Sequence, residues 1–455
     1  MRIAALTILL FHSSALFGAD PPNVKSRIYP AKEAYLLGEP VFYNIELVNT
    51  SSKPVYYNDS SYDMCFGDRT QVIGGNRRSS EALVPACHYG ERDRMNVMGG
   101  MSCSFAIDTL QAGEKHVRRI FMGSFSFDNP GTYKVLARRR IEIYEENRMP
   151  IGLFEMASDF DIKIVQGTEA QLRTAFEPFV KSFRSVKFYP AETTATNEQQ
   201  VTAPGQQQTA SSGGEQPSSK QQASQDFLQD YYDAIAVITA MAPPFLEDVI
   251  LEISKSPLVM RKRDVIVTLG KLNTKRTRER LAELAEKTNA GDKSLLAEFS
   301  AKMGVNALAV AALAQTRDPS ALAALMKIGD WNDHPARADA IQNIGLLGEI
   351  AIPYLKAAFK KDVLSKDSAI HGLGATASRA AVPILIDLLE KSDGIWLRFV
   401  RESLAQLTHF VDGGKHIDSE PKPDEYRHWR EWWTKHGATA EIFDTNHCSD
   451  LAQLP

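Results

Sequence analysis

Arg337-Ala338-Asp339-Ala340-Ile341-Gln342-Asn343-Ile344-Gly345 is the stretch whose reading decides the fold of the larger part of this chain. Its small and apolar positions recur at helical spacing, and it ends on an Ile-Gly pair. Four other segments carry the same pattern: 263–270, 306–314, 366–374 and 400–408. Each is an alanine-rich helix closed by Leu/Ile-Gly or a similar small residue. The closing positions 270, 314, 345, 374 and 408 are 44, 31, 29 and 34 residues apart. Most are followed by a second apolar helical pattern, at 278–286, 320–327, 352–360 and 382–390. A single helix pair cannot bury its own apolar face, so pairs recurring at this period stack and share a core. The expectation is an α-helical solenoid, with an extra helix at 293–302 inside the longest gap.

Upstream the period changes from 3.6 to 2. Val41 to Asn49 alternates towards its end, a Thr50-Ser51-Ser52-Lys53-Pro54 turn follows, and Val55-Tyr56-Tyr57 returns. Further β-rich runs lie at 103–110, 117–122, 131–144 and 160–165. About seven short strands with regular turns predict an antiparallel β-sandwich. Residues 58–102 break the rhythm and read as one long irregular loop, a place where a rigid sandwich can carry binding or simply cover a sheet end. In Arg138-Arg139-Arg140, the outer two share a face, which suggests a cationic sheet edge. Amphipathic helices are expected at 168–188 and 226–241. Between them, 191–225 is a Gln/Ser/Thr/Ala/Gly tract that cannot bury enough apolar surface to offset its ordering entropy, and it reads as a disordered loop. The division predicted is 20–166 for the sandwich, 167–440 for the helical array and 441–455 for a tail.

Two resemblances follow from these residues. Gly38-Glu39-Pro40-Val41, Val48-Asn49-Thr50-Ser51 and Pro130-Gly131-Thr132-Tyr133 resemble bacterial immunoglobulin-like domains, including those of the intracellular-proteinase-inhibitor type. Arg-x-x-Ala-x-x-x-Leu-Gly helices followed by Ala351-Ile352-Pro353-Tyr354-Leu355 or Ala381-Val382-Pro383-Ile384-Leu385 resemble bacterial HEAT repeats of the phycobilin-lyase class. The second resemblance implies macromolecular binding for most such arrays and lyase or hydroxylase chemistry for a minority.

The chain has 455 residues, 44% hydrophobic and 24% charged, with a formal charge of −4. That balance excludes a wholly disordered chain, a collagen, a polytopic membrane protein and a dedicated basic nucleic-acid binder. Met1-Arg2, an apolar run from Ile3 to Phe11 and small residues to Ala19 read as a secretory signal peptide over 1–19, with cleavage after Ala15 or Ala19. The protein is therefore expected outside the cytoplasm, periplasmic or secreted, without membrane insertion after cleavage. Cys65, Cys87 and Cys103 agree with an oxidising compartment; one disulfide among them is expected, with three pairings open, and Cys448 stands apart.

No pattern assembles a catalytic centre, and no enzyme activity or cofactor is expected. Gly372-Leu373-Gly374-Ala375-Thr376-Ala377 has the spacing of a dinucleotide loop but follows a helix, so Gly374 reads as a helix stop. Asp330-Trp331-Asn332-Asp333-His334-Pro335 reads as helix capping by Asn332 or Asp333. His409, His416, His428, His436 and His447 lack zinc-motif spacing. In Tyr426-Arg427-His428-Trp429-Arg430-Glu431-Trp432-Trp433, Tyr426, Trp429 and Trp433 share a side and should close the end of the array, leaving Trp432 as the exposed tryptophan. Trp432, His428 and Arg398 are the candidate binding surface. The expected function is non-catalytic binding of a protein or peptide. Inhibition of an extracytoplasmic protease through the sandwich loops, or a solenoid-based enzyme, are the alternatives.

Overall fold

A computed structural model describes residues 16–17, 23–58, 70–73, 76–77, 107–123, 125–185, 219–256, 262–287, 304–392, 394–408 and 425–444. All four cysteines, the expected helix at 293–302, residues 186–218 and the tail beyond 444 lie outside them. The described residues form two compact units, divided between Met241 and Ala242.

The first unit is β-rich. Its strands are β1 (Leu16–Phe17), β2 (Val24–Pro30), β3 (Ala34–Leu36), β4 (Phe42–Asn49), β5 (Val55–Asn58), β6 (Gln71–Ile73), β7 (Asn76–Arg77), β8 (Asp108–Leu110), β9 (Lys115–Phe121), β10 (Phe125–Ser126), β11 (Gly131–Tyr144) and β12 (Pro150–Val165). One seven-stranded sheet runs β1-β12-β11-β5-β8, with β3 beside β12 and β6 beside β11; a second runs β2-β4-β9. β1 and β3 pair parallel with β12 and the other ladders are antiparallel, so the larger sheet is mixed. Period-two alternation puts Tyr43, Ile45 and Leu47 of β4 into the same core as Val135, Ala137, Ile141 and Ile143 of β11.

The turn after β4 is knitted by one side chain. Asn49 donates Nδ2–H to the carbonyls of Lys53 and Leu110, both at 2.8 Å, and its Oδ1 accepts from Ser51 N–H and Oγ–H. A buried amide satisfied on both sides fixes where β4 ends and β5 begins. The Tyr133 hydroxyl reaches back to the Asn129 carbonyl at 2.7 Å and pins the start of β11.

Three expectations are corrected in this unit. The 58–102 stretch is not one irregular loop, because β-branched Val72 and Ile73 pair with Val135 and Lys134 of β11 as β6, and β7 pairs with β10. Arg138-Arg139-Arg140 is no sheet edge, because β11 runs centrally between β12 and β5/β6. Arg139 is buried in the core-facing row, while Arg138 and Arg140 meet Asp159 at 2.8 Å and Glu155 at 3.5 Å. The boundary is not at Gly167 either. Helices α1 (Glu169–Ser185) and α2 (Ser219–Met241) belong to the β-rich unit: Phe179 stacks on Phe42 at 5.8 Å and Phe183 on Tyr231 at 5.7 Å. The 191–225 tract gives up its last residues, from Ser219, to α2. Leu16 and Phe17 of β1 fall inside the segment read as a signal peptide. Cleavage after Ala15 keeps that strand and cleavage after Ala19 removes it.

The second unit is helical. Its helices are α3 (Glu247–Lys255), α4 (Lys262–Leu272), α5 (Lys275–Glu286), α6 (Val305–Gln315), α7 (Ala321–Asp330), α8 (Arg337–Asn343), α9 (Ile352–Ala358), α10 (Val363–Ala375), α11 (Ala381–Lys391), α12 (Gly394–Thr408) and α13 (Glu425–His436). Alternate helices α4, α6, α8, α10 and α12 pack each on the next, and the intervening helices pack between them.

The repeated glycines do not stop these helices. Left-handed residues three positions later do: Asn273, Arg317, Gly348 and Ala377 all have positive φ and keep the 44-, 31- and 29-residue steps. The glycines instead let neighbouring helices approach. A Cβ on Gly345 would stand 2.0 Å from the Gly372 carbonyl oxygen, one on Gly372 3.0 Å from that of Ile341, and one on Gly374 2.8 Å from Ser403 Cβ. The turns also repeat in detail. Thr316 and Thr376 donate their hydroxyls to Leu313 and Leu373, and the side chains of Asp318 and Ser378 accept from Ser320 N–H and Ala380 N–H.

Candidate functional site

Among the described residues, the helical unit exposes five large apolar side chains. Four of them lie near the handovers between successive helix pairs. Trp331 (41% exposed) follows α7, Val363 (72%) and Leu364 (47%) open α10, and Ile395 (60%) opens α12. Trp331 follows α7 directly, six residues before α8, whereas Val363 is the first residue of α10 and Ile395 the second of α12, so each lies near a handover from a second helix to the next first helix. Exposed apolar residues scattered singly need no explanation, whereas one near each of three successive helix handovers does.

The edge is built from a polar core. Asp362 caps α10: its Oδ1 accepts the Ser365 N–H at 2.9 Å, and its Oδ2 accepts from Arg337 at 2.6 Å. The Ser365 N–H, then the Arg337 guanidinium, hold this carboxyl down at about 2. Arg337 is buried, donates also to the Gly329 carbonyl and the Ser365 hydroxyl, and so ties the end of α7 to the starts of α8 and α10. Asp330 accepts from Tyr354 at 3.0 Å and Lys361 at 2.5 Å. Burial, then Asp330, raises the Tyr354 phenol, which remains a neutral donor. These bonds hold the backbone that carries Trp331 and Val363.

The turn beneath Trp331 corrects the capping expectation. Neither Asn332 nor Asp333 caps α8. Ala336 is the N-cap and no side chain caps the helix; the buried His334 instead holds the turn before it, its Nδ1 accepting the Ala336 N–H at 3.1 Å, with Trp331 packed on its ring at 5.0 Å. Nδ1 must therefore be unprotonated, and burial lowers the imidazole below its ordinary value, against the raising effect of the Ala285 and Glu286 carbonyls and the Glu286 charge. The stabilisation by neutral His334 is complete above the unfolded value of about 6.5 and is lost as pH falls through the lower folded value. A His334→Asn variant, which keeps an acceptor but cannot titrate, should be less stable than the parent at pH 7.5, and the gap should narrow as the pH is lowered towards 5. Thermal melts of both proteins across that range check this, and a gap that widens on acidification would contradict it.

At the far end of the row, the Lys366 ammonium lies 5.2 Å from the Phe359 ring centroid and 4.6 Å from that of Trp396. Trp396 in turn meets Phe399 edge-on at 6.0 Å. Lys366, Lys360 and Lys391 pair with no carboxylate among the described residues.

The three residues named from sequence as a binding surface are not assembled into one by the contacts they make. Trp432 is half-buried in α13 among Trp429, Trp433 and His436, His428 is exposed on the same helix, and Arg398 pairs with Glu402 on α12 at 2.8 Å. The exposed tryptophan is Trp331. Trp429 is buried, as expected of a closing helix, and α13 packs on α11. Cys65, Cys87, Cys103, His409, His416 and His447 lie outside the described residues. Among the described residues no three His, Cys, Asp or Glu side chains gather as a metal site, and no helix is long and apolar enough to cross a membrane. Gly372 and Gly374 lie inside α10 at helix contacts, which accounts for the dinucleotide-like spacing.

No protein-family model matches the chain, and no curated protein matches it. Similar solved structures include the ASH/PapD-like domain of human CEP192 (13% identity, 37% of this chain and 99% of that one, TM-score 0.18). They also include Escherichia coli alpha-2-macroglobulin from domain MG7 to the C-terminus (13% identity, 84% of this chain and 62% of that one, TM-score 0.18). The native conformation of Escherichia coli alpha-2-macroglobulin is matched over 84% of this chain and 25% of that one, with 13% identity and a TM-score of 0.18. The chain thus spans less than two thirds of either macroglobulin structure, and scores this low assign neither fold family nor function. The chain itself forms a mixed, mostly antiparallel β-rich unit followed by a helical one.

Proposed function

We propose that this is an exported, non-catalytic binding protein, in which an immunoglobulin-like sandwich precedes a HEAT-type solenoid and the solenoid edge takes a protein or peptide. The observation that carries the reading is the row Trp331, Val363, Leu364 and Ile395. A large apolar group on each of three successive units costs solubility without stabilising the fold, so its use lies in contact with something else. The repeated turns and glycine contacts support the solenoid reading. The Asn49 turn and the Tyr133–Asn129 bond, which resembles the tyrosine corner of sandwich domains, support the immunoglobulin-like one. The apolar run and small-residue region at 1–19 support export.

A photo-cross-linking residue placed at 363 in the full chain tests this. In the native exported compartment it should form a discrete adduct that the same residue at exposed Lys356 does not. Identical adducts at both positions, or none at 363 in a folded protein, would refute the reading. A second reading, inhibition of a protease by the β-rich unit, draws on exposed Met149 (61%) and Ile151 (50%) at the tip of the β11–β12 hairpin. A protease captured from position 149 and nothing from 363 would favour it.

A further inference from the structure

We infer that the exported chain is cut between Ala15 and Leu16, and that its new first residues, Leu16 and Phe17, stay as a strand covering the apolar part of the β12 edge. The inference rests on the export proposed above and adds to it the processing site and the use of the new terminus.

The sheet edge is the first argument. β11 lies along one side of β12 from Pro150 to Ile164. On the other side, among the described residues, β1 stands beside Phe154 and Glu155 and β3 beside Lys163 to Val165, both parallel to β12. An open edge is a template for another chain's strand, and charge along it is one protection against such pairing. Two stretches of this edge differ in that respect. Residues 157–161 read Ala-Ser-Asp-Phe-Asp, with two carboxylates in five positions. Residues 151–156 read Ile-Gly-Leu-Phe-Glu-Met, with four large apolar side chains, no proline and a single charge. That charge, Glu155, is paired with Arg140 of β11 at 3.5 Å. Low charge, high apolarity and no proline make this the stretch that pairs most readily with foreign strands. β1 sits on it, with Leu16 opposite Phe154 and Phe17 opposite Glu155.

Processing chemistry is the second argument, and it comes from different residues. A signal peptidase takes small side chains at the first and third positions before the cut. A cut after Ala15 presents Ala15 and Ser13, whereas a cut after Ala19 presents Ala19 and Phe17, a large aromatic. Hydrolysis of the Ala15–Leu16 peptide bond by such an enzyme consumes one water and leaves a carboxylate on Ala15 and an ammonium group on Leu16. The cut that suits the peptidase is thus the one that keeps β1. A cut after Ala19 would discard β1 and leave the edge from 150 to 162 without a neighbour among the described residues.

The test expresses the full chain with its leader in bacterial cells and reads the intact mass and N-terminal sequence of the extracytoplasmic product. That product should begin Leu16-Phe17-Gly18. A product beginning at Asp20 overturns the inference and leaves export standing, whereas a chain that keeps Met1 and stays in the cytoplasm overturns both. Ala15→Phe should abolish the Leu16 terminus and Ala19→Phe should leave it unchanged; the reverse pattern counts against the cut proposed. Hydrogen exchange reads the covering role separately, on chains made to begin at Leu16 and at Asp20. Amides of 150–156 should exchange about tenfold faster in the shorter chain, with the rest of the β-rich unit unchanged. The shorter chain should also form larger species in size-exclusion chromatography at concentrations where the longer one does not. Equal exchange and equal elution of the two chains would overturn the covering role, whatever the position of the cut.

Discussion

Gly345→Ala should destabilise the helical unit by about 3 kcal/mol, whereas Gly270→Ala, at the corresponding place in an earlier repeat, should be neutral or slightly stabilising. The two glycines look alike in sequence, each following a Leu or Ile at the end of a first-helix pattern. Their surroundings differ. A methyl group on Gly345 would lie 2.0 Å from the Gly372 carbonyl oxygen, and a backbone oxygen in a helix cannot rotate away as a side chain would. Helices α8 and α10 would have to separate and lose packing along their contact. On Gly270 the nearest atoms, Ala312 Cβ and Ala312 O, are at 3.4 Å, which is ordinary contact, so alanine there gains about 0.5–1 kcal/mol of helix propensity. Thermal melts of the full chain check the pair. Gly345→Ala should lower the helical transition by about 6–12 °C and Gly270→Ala should not lower it. Similar losses in both would mean that these glycines serve as helix ends after all.

That contrast marks where the sequence stopped being legible. The positions of the repeats were readable because apolar periodicity and small-residue spacing are properties of the chain alone. The expected first-helix stretches fall within α4, α6, α8 with the turn that follows, α10 and α12, and β11 was expected over 131–144, where it is found. What each apolar face packs against was not readable. The stripe on α1 has the same signature whether it meets another helix or Phe42 of the sheet, so the boundary was placed at Gly167 rather than after Met241. A glycine pattern likewise cannot distinguish a left-handed turn from a close approach. The left-handed residues are Asn273, Arg317 and Ala377, and only at Gly348 is one a glycine.

The exposed apolar residues of the helical unit were not legible for a related reason. In Asp330 to Pro335 the polar residues carry a capping signature, while exposure of Trp331 has no signature in the sequence. The signal that could have found them was a large apolar residue near the start of each of three successive first helices, at Trp331, Val363 and Ile395, where an N-terminal turn is ordinarily polar. Arg337 carried no signal of its own, because its role depends on Asp362 and Ser365, which are distant in sequence and adjacent only through stacking.

Trp429→Ala should cost about 3–5 kcal/mol, the largest loss expected from a single truncation in α13. Trp429 is 1% exposed and sits where α13 closes over α11, while its neighbour Trp432 is half-buried and meets it edge-on at 6.1 Å. The alternative account is that ion pairs hold this helix, since Arg430 reaches Asp387 at 3.1 Å and Glu390 at 2.8 Å on α11. Magnitudes decide between them. Exposed pairs of this kind contribute about 0–1 kcal/mol, less than the burial of one indole. Arg430→Ala should therefore lower stability far less than Trp429→Ala, and Trp429→Phe should fall between the two. Trp331→Ala supplies the opposite case: an exposed ring whose removal should leave the melting temperature nearly unchanged and abolish cross-linking from position 363. One tryptophan would then report on folding and the other on binding. If Trp331→Ala destabilises the unit as much as Trp429→Ala does, the exposed row is part of the core and the edge has no claim to a partner.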